Sequence, residues 1–324
     1  MPTAVPQTDA GGWPLGDGAH RWVTLEGGDP SVRGHEVHAA RWPGSGAGAP
    51  VMLVHGLAGS HLNWTHLAPL LAERLDTSEV WAPDLSGFGL TLPVAGGATM
   101  PAQVRLLEGF VRTVAPGRRC VVVGNSMGGV VSLLLASRWP AGMEALALIA
   151  PAGPIPAGRF PDGEVSTQLA VAATPVAGPV LTARWLHHRD PAAHVDSMLR
   201  LCSIDPATFP DPHRQARIEL MEARRAMPHI ADALVDATRS AMAYAIGPAR
   251  ARVWQAVDEL HLPVLLIHGD RDRLIPLEAS LALVARRPDW TLRIHPGRGH
   301  TPMLDAADAI ADDLVMWRQA PQPR

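Results

Sequence analysis

The chain has 324 residues, a formal net charge of -3 at pH 7 and a sequence pI of about 6.6. This length suits one large core domain with an insertion, and the charge and the lack of a basic block argue against nucleic acid or an anionic membrane surface as partners. All 28 basic residues are arginine, which excludes a Schiff-base lysine or a Ser-Lys pair.

Residues 1–18 carry Pro, Gly and Asp but neither a basic segment nor an apolar one, which predicts a flexible tail without a secretion signal. Apolar runs are shorter than the roughly 20 residues that a membrane span needs. Cys120 and Cys202 are isolated, which predicts free thiols rather than a disulfide or a zinc site. We therefore expect a cytoplasmic protein without a membrane span or a bound metal.

The first predicted elements are two strands, 21–25 and 35–41, joined by a turn at 27–29. From residue 51 onward, short apolar strands alternate with helical stretches. The predicted strands are 51–54, 80–84, 119–123 and 145–150, and the predicted helices are 64–75, 100–114 and 129–139. This alternation predicts an α/β fold with a mostly parallel central sheet and helices on both faces.

The alternation stops between residues 155 and 250, where prolines and helical segments such as 227–245 replace the apolar strands. Two further strands, 262–268 and 291–295, then follow, separated by a helix at 277–286, and a helix at 302–317 closes the chain. We predict a core domain of residues 19–154 and 251–320, with a helical insertion at 155–250.

Ser126 lies in the G-x-S-x-G pentapeptide 124–128. The strand 119–123 precedes it, and the helix 129–139, which Pro140 would end, follows it. This strand, sharp turn and helix are the context of a nucleophile elbow, where small neighbours allow a strained, exposed serine.

Asp272 and His300 each follow a predicted strand, as Ser126 does, so the three residues converge at one edge of a parallel sheet. A serine hydroxyl needs an imidazole to take its proton, and the imidazole needs an anion to orient it. His300 and Asp272 fit these roles. Asp270 lies in the same segment and is the alternative acid.

A tetrahedral intermediate also needs donors for its oxyanion. The Met127 N–H stands at the start of the helix after Ser126, and the Leu57 N–H follows the first parallel strand, so we predict these two donors. His55 is interpreted as a hydrogen-bonded structural residue.

Together these motifs resemble the α/β-hydrolase superfamily, over residues 51–149 and 262–317. The segments that carry the resemblance are the His-Gly loop 55–59, the turn 84–89, the elbow 124–128, the acid segment 269–276 and the Gly-His pair 299–300. In that family the acid stands three residues after a glycine and four before a proline, which favours Asp272 over Asp270.

The resemblance also implies that residues 155–250 form a cap that sets substrate choice. The candidates for lining a substrate pocket are Asn125, Trp185, Met198, Met227 and Tyr244.

The resemblance implies a cofactor-free carboxylic-ester hydrolase acting on small to medium apolar acyl substrates. Superfamily members with an aspartate nucleophile, the haloalkane dehalogenases and epoxide hydrolases, are excluded by Ser126. Residues 124–129 are also similar to those of meta-cleavage-product hydrolases, which cut carbon–carbon bonds, so that reaction is an alternative. A cofactor-free acyltransferase and a non-enzymatic ligand-binding protein are the others. The sequence leaves the oligomeric state open.

Overall fold

A computed structural model describes residues 13–159, 162–163, 165–167, 174 and 177–320. These residues form one eight-stranded sheet in the order β1-β2-β4-β3-β5-β6-β7-β8. The strands are β1 Ala19–Thr24, β2 Glu36–Pro43, β3 Val51–Val54, β4 Glu79–Pro83, β5 Cys120–Asn125, β6 Met143–Ile149, β7 Val264–Gly269 and β8 Thr291–His295.

Only the first two strands interrupt the parallel arrangement of this sheet. β1 and β2 pair antiparallel, β2 pairs antiparallel with β4, and every pair among β3 to β8 is parallel. All residues of β3, β5 and β7 are buried, as expected of central strands covered on both faces. The predicted α/β fold with a mostly parallel sheet is confirmed.

The helices are α1 Leu67–Arg74, α2 Met100–Val114, α3 Met127–Arg138, α4 Ala177–His188, α5 Pro191–Leu201, α6 Asp211–Arg225, α7 Ile230–Ala245, α8 Arg250–Glu259, α9 Glu278–Arg286, α10 Pro302–Asp305 and α11 Ala307–Gln319. The helix predicted at 64–75 is shorter, because a 3₁₀ turn covers His61–Trp64. The closing helix divides in two because the backbone of Ala306, at φ -143° and ψ 34°, is not helical.

The two faces of the sheet bury separate apolar clusters. In β5, Val122 packs in the cluster under α2, α3 and α8, whereas Val121 and Val123 pack in the cluster under α1 and α11. This alternation follows from the two-residue period of a strand. Burial on both faces fixes the register of β5 and hence the position of the residue that follows it.

Helices α4 to α7 lie between β6 and β7, where the sequence predicted a helical insertion. α4 packs against α7, α5 packs against α6, and α8 packs against α3 of the core. Part of the predicted insertion, within 160–176, lies outside the described residues.

The prediction of a flexible tail over 1–18 is wrong for residues 13–18, and residues 1–12 lie outside the described residues. Leu15 is buried and its carbonyl accepts a 2.7 Å hydrogen bond from Nε1 of Trp42. Trp13 donates a 3.0 Å hydrogen bond to Glu219 of α6. These contacts fasten the segment to the core and to the insertion.

Both cysteines are free thiols, as predicted; Cys120 is buried and Cys202 is partly buried. None of the helices in the described part of the chain is long and apolar enough to cross a membrane.

Candidate active site

Ser126 occupies the sharp turn between β5 and α3, with a left-handed backbone of φ 56° and ψ -122°. A Cβ on Gly128 would lie 2.3 Å from the carbonyl oxygens of both Val54 and His55. On Gly124 it would lie 2.5 Å from the carbonyl oxygen of Gly128. Larger residues at 124 and 128 would therefore push β3, β5 and α3 apart, so the glycines allow the tight corner that presents Ser126.

Asp272 and His300 form a direct hydrogen bond of 2.7 Å between Oδ2 and Nδ1. The other oxygen of Asp272 accepts hydrogen bonds from the backbone N–H groups of Leu274 and Ile275, at 2.8 and 2.9 Å. Asp270 is exposed and instead accepts a hydrogen bond from the Gly297 N–H. Of the two candidate acids, the one paired with His300 is therefore Asp272.

A second histidine, His268 at the end of β7, also contacts Asp272. Its Nε2 lies 3.1 Å from the carbonyl oxygen of Ile275 and 3.3 Å from Oδ2 of Asp272, and its Nδ1 lies 2.8 Å from Oγ of Ser280. Burial acts to raise the pKa of Asp272, but the charge of His300 and hydrogen bonds from both histidines outweigh it and hold that pKa well below its usual range. Asp272 is thus an anion at neutral pH.

His268 did not emerge from the sequence, where it was only the last residue of a predicted strand. Its signal would have been its place four residues before the acid, at the carboxyl end of a buried strand.

Asn125 links the Ser126 turn to the loop that carries His300. Its side-chain amide donates to the carbonyl oxygens of Ile149 and His300, at 3.1 and 3.2 Å. Because the amide holds these backbones together, Asn125 is a scaffold residue here, whereas the sequence analysis placed it among the pocket candidates.

Ser126 and His300 are 9% and 4% exposed, which leaves both side chains a narrow opening to a ligand. Among the described residues, neither Oγ of Ser126 nor Nε2 of His300 forms a hydrogen bond. In ligand-free sites such catalytic hydrogen bonds are often long and tighten when substrate binds.

The loop 55–59 passes beside Ser126, because a Cβ on Gly56 would lie 2.9 Å from that of Ser126. Within the described chain, the N–H groups of Leu57 and Met127 donate to no other backbone or side-chain group. Both N–H groups therefore remain available for an anion, and that of Met127 lies at the positive end of α3.

His55 fixes the start of this loop. Its Nδ1 lies 2.8 Å from the carbonyl oxygen of Gly56, and its Nε2 accepts a hydrogen bond from the Leu85 N–H. Burial lowers the pKa of His55 to about 4, so the ring is neutral and its two nitrogens serve one as donor and one as acceptor. These contacts agree with the structural role that we expected for His55.

Arg224 of α6 reaches the same loop from the insertion, and the sequence gave no sign of it because α6 is strongly charged. Its Nη1 donates a 3.0 Å hydrogen bond to the carbonyl oxygen of Ala58, whose backbone is left-handed at φ 59°. The side chain is buried, which lowers its pKa to about 10, and its guanidinium lies 5.7 Å from the centre of the Phe88 ring. Its Nε has no partner among the described residues.

The insertion also contacts the acid and base loops. A Cβ on Gly299 would lie 2.1 Å from the carbonyl oxygen of Cys202, and Oγ of Ser203 donates a 3.0 Å hydrogen bond to the carbonyl oxygen of Arg271. The segment after α5 is therefore packed directly on the residues that flank Asp272 and His300.

The other pocket candidates lie in different surroundings. Trp185 is 37% exposed and contacts the ring of His194, and Met198 is half-buried on α5. Met227 packs in a small apolar cluster with Leu220, and Tyr244 packs in the main core cluster. A pocket-lining role for these side chains stays a prediction.

Sequence comparison identifies the family. A model of the alpha/beta hydrolase family matches residues 51–313, and the chain therefore belongs to that family. It is 25% identical over 297 residues to Lipase 1 of Psychrobacter immobilis, covering 91% of this chain and 83% of that protein.

A second group of relatives carries names of carbon–carbon bond hydrolases. The chain is 26% identical over 299 residues to 2-hydroxy-6-oxononadienedioate/2-hydroxy-6-oxononatrienedioate hydrolase of Cupriavidus pinatubonensis, covering 90% and 93% of the two chains. The solved structure of 2-hydroxy-6-oxo-6-phenylhexa-2,4-dienoate hydrolase from Rhodococcus sp. strain RHA1 superposes with a TM-score of 0.69 at 25% identity, covering 93% and 100%. These likenesses support hydrolase activity.

Proposed function

We propose that this protein is a serine hydrolase that cleaves carboxylic esters of small to medium apolar acyl substrates through an acyl-enzyme on Ser126. The observation that carries the proposal is the combination of a serine on a strained strand-to-helix turn with a buried Asp272–His300 pair at the same sheet edge. The kinship with a protein named as a lipase supports an ester as substrate.

The reaction begins with the tautomer of His300. Because Asp272 accepts the Nδ1 proton, Nε2 carries a lone pair and takes the proton of the Ser126 hydroxyl as Oγ attacks the carbonyl carbon. The N–H groups of Leu57 and Met127 stabilise the oxyanion, each by about 3 kcal/mol of barrier.

The tetrahedral intermediate then collapses, and the alcohol leaves with the proton held by His300. Water next attacks the acyl-enzyme by the same route, with His300 as base and then as acid, and releases the carboxylic acid and Ser126. Asp272 stays ionised throughout and orients the imidazole.

Carbon–carbon hydrolysis is the second candidate, since the relatives named above include enzymes named for that reaction. Acyl transfer would use the same residues, with another acceptor in place of water.

A substrate panel tests the proposal. We expect turnover of p-nitrophenyl esters from acetate to octanoate, with no comparable turnover of a 2-hydroxy-6-oxo-dienoic acid and no acyl transfer when alcohol or amine acceptors are added. Turnover of the dienoic acid alone would favour the second candidate, transfer to the acceptors would favour acyl transfer, and no turnover together with no labelling by a fluorophosphonate would contradict a serine hydrolase.

Arg224 is predicted to be a positioning residue for the Leu57 N–H, because it holds the neighbouring Ala58 carbonyl. Arg224→Met is expected to lower kcat for a p-nitrophenyl ester by about 10- to 100-fold, since small misplacements of catalytic groups have effects of this size. KM is expected to change little, and Arg224→Lys to restore part of kcat.

Arg217→Met is the matched control, because Arg217 lies on the same helix and donates to the carbonyl oxygen of Leu62, outside the 55–59 loop. Equal losses of kcat in the Arg224→Met and Arg217→Met proteins would contradict a specific role for Arg224.

A further inference from the structure

Three histidines from separate elements meet beside the 55–59 loop: His20 of β1, His38 of β2 and His61 of the 3₁₀ turn. One nitrogen of each ring lies within 4.8 Å of the corresponding nitrogens of the other two. None of these residues takes part in the reaction proposed above.

The carboxylate of Asp84 fixes the tautomers of two of the rings. Its oxygens accept from Nδ1 of His38 at 2.7 Å and from Nδ1 of His61 at 3.0 Å. Because an ionised carboxylate only accepts hydrogen bonds, both rings carry their proton on Nδ1 and their lone pair on Nε2. This is the arrangement in which a carboxylate orients metal-binding histidines from the outer shell.

Two of the ring nitrogens lack partners among the described residues, although they are buried. Nε2 of His61 accepts no hydrogen bond, and the residue is fully buried. Nε2 of His20 is likewise buried without a partner. A buried lone pair normally has a donor or a metal ion to satisfy it, so these atoms point to a ligand that takes up electron pairs.

The spacing of the rings suits a small cation. Nδ1 of His20 lies 3.0 Å from Nε2 of His38, close to the roughly 3.3 Å that separates two nitrogen ligands of a tetrahedral zinc ion. Trp13 stacks on His61 with ring centres 5.4 Å apart, and Trp22 contacts His38 edge to face. His20 is only partly buried, which leaves an entry path.

We propose that His20, His38 and His61 bind a single Zn²⁺ ion, with Asp84 orienting two of the three imidazoles. Imidazole nitrogen is a preferred ligand of zinc, and three histidines leave the fourth position of a tetrahedral ion for water. The ion would tie β1 and β2 to the turn that follows the 55–59 loop. The sequence analysis predicted no metal site because the ligands lie far apart along the chain without a recognisable spacing.

The experiment measures zinc binding by untagged protein that has been stripped with EDTA. After equilibrium dialysis against ZnCl₂, we expect about one zinc per chain by elemental analysis, as a single tetrahedral site requires. Co²⁺ is expected to give the visible absorption bands of a tetrahedral ion, and Zn²⁺ to raise the thermal midpoint of unfolding.

His61→Gln and His20→Gln are each expected to weaken zinc binding by at least about 10-fold, because loss of outer-shell partners alone has effects of 10- to 100-fold. His20 lies on an edge strand, so the His20→Gln protein keeps the test valid if the His61→Gln protein does not fold. His35→Gln is the matched control, since His35 immediately precedes β2 and its Nε2 is bonded to the carbonyl oxygen of Leu92. Wild-type protein that retains no zinc, or equal zinc affinity in the wild-type and His20→Gln proteins, would overturn the proposal.

Discussion

Replacing Ser126 with alanine is expected to lower kcat for a p-nitrophenyl ester by about 10⁴-fold or more, because the acyl-enzyme can no longer form. The free energy of unfolding is expected to stay nearly unchanged. Alanine also carries a Cβ, so the left-handed turn at φ 56° is no more strained than before. Steady-state kinetics and urea denaturation of the two proteins make the measurement.

Ser132→Ala is the matched control for this experiment. Ser132 is a fully buried serine of α3 whose hydroxyl donates to the carbonyl oxygen of Gly128. The Ser132→Ala protein is expected to keep kcat within a few-fold and to remain labelled by a fluorophosphonate, and the Ser126→Ala protein to lose the label. Ester turnover by Ser126→Ala at the wild-type rate would refute the mechanism.

Asp272→Asn is expected to lower kcat by about 10⁴-fold with little effect on KM, because an amide in this place favours the wrong tautomer of His300. The neutral side chain also leaves the imidazolium formed during the reaction without its anion. Purified protein assayed with the same ester, alongside circular dichroism to verify folding, provides the test.

Asp270→Asn separates the two acids of the segment. Asp270 is exposed and bonded to the Gly297 N–H, so we expect its loss to leave kcat within a few-fold of wild type. A larger loss of kcat in Asp270→Asn than in Asp272→Asn would reverse the assignment of the acid.

The core of the fold was predictable because its signals are local. Val51–Val54 and Met100–Val114 have the predicted bounds, since a fully apolar run and an amphipathic helical pattern are each complete within their own segments. Gly124 and Gly128 likewise marked the Ser126 turn through their spacing alone.

What the sequence did not reveal depends on tertiary packing. Arg224 lies in a helix rich in charged residues, and nothing in that pattern distinguishes a buried arginine from its exposed neighbours. The segment 13–18 has the composition of a loop and yet is held by single contacts to distant residues. His20, His38 and His61 are brought together only by the pairing of β1 with β2 and by the turn after β3.

The packing of Gly299 on Cys202, and of Ser203 on Arg271, has a consequence for protein engineering. The segment after α5 is fitted to the backbone that carries the base and the acid. A chimera that receives a foreign lid while keeping this core would place new atoms against both loops. Grafts that retain residues 202–203 are therefore expected to preserve turnover, whereas exchanges that replace them would displace the imidazole itself.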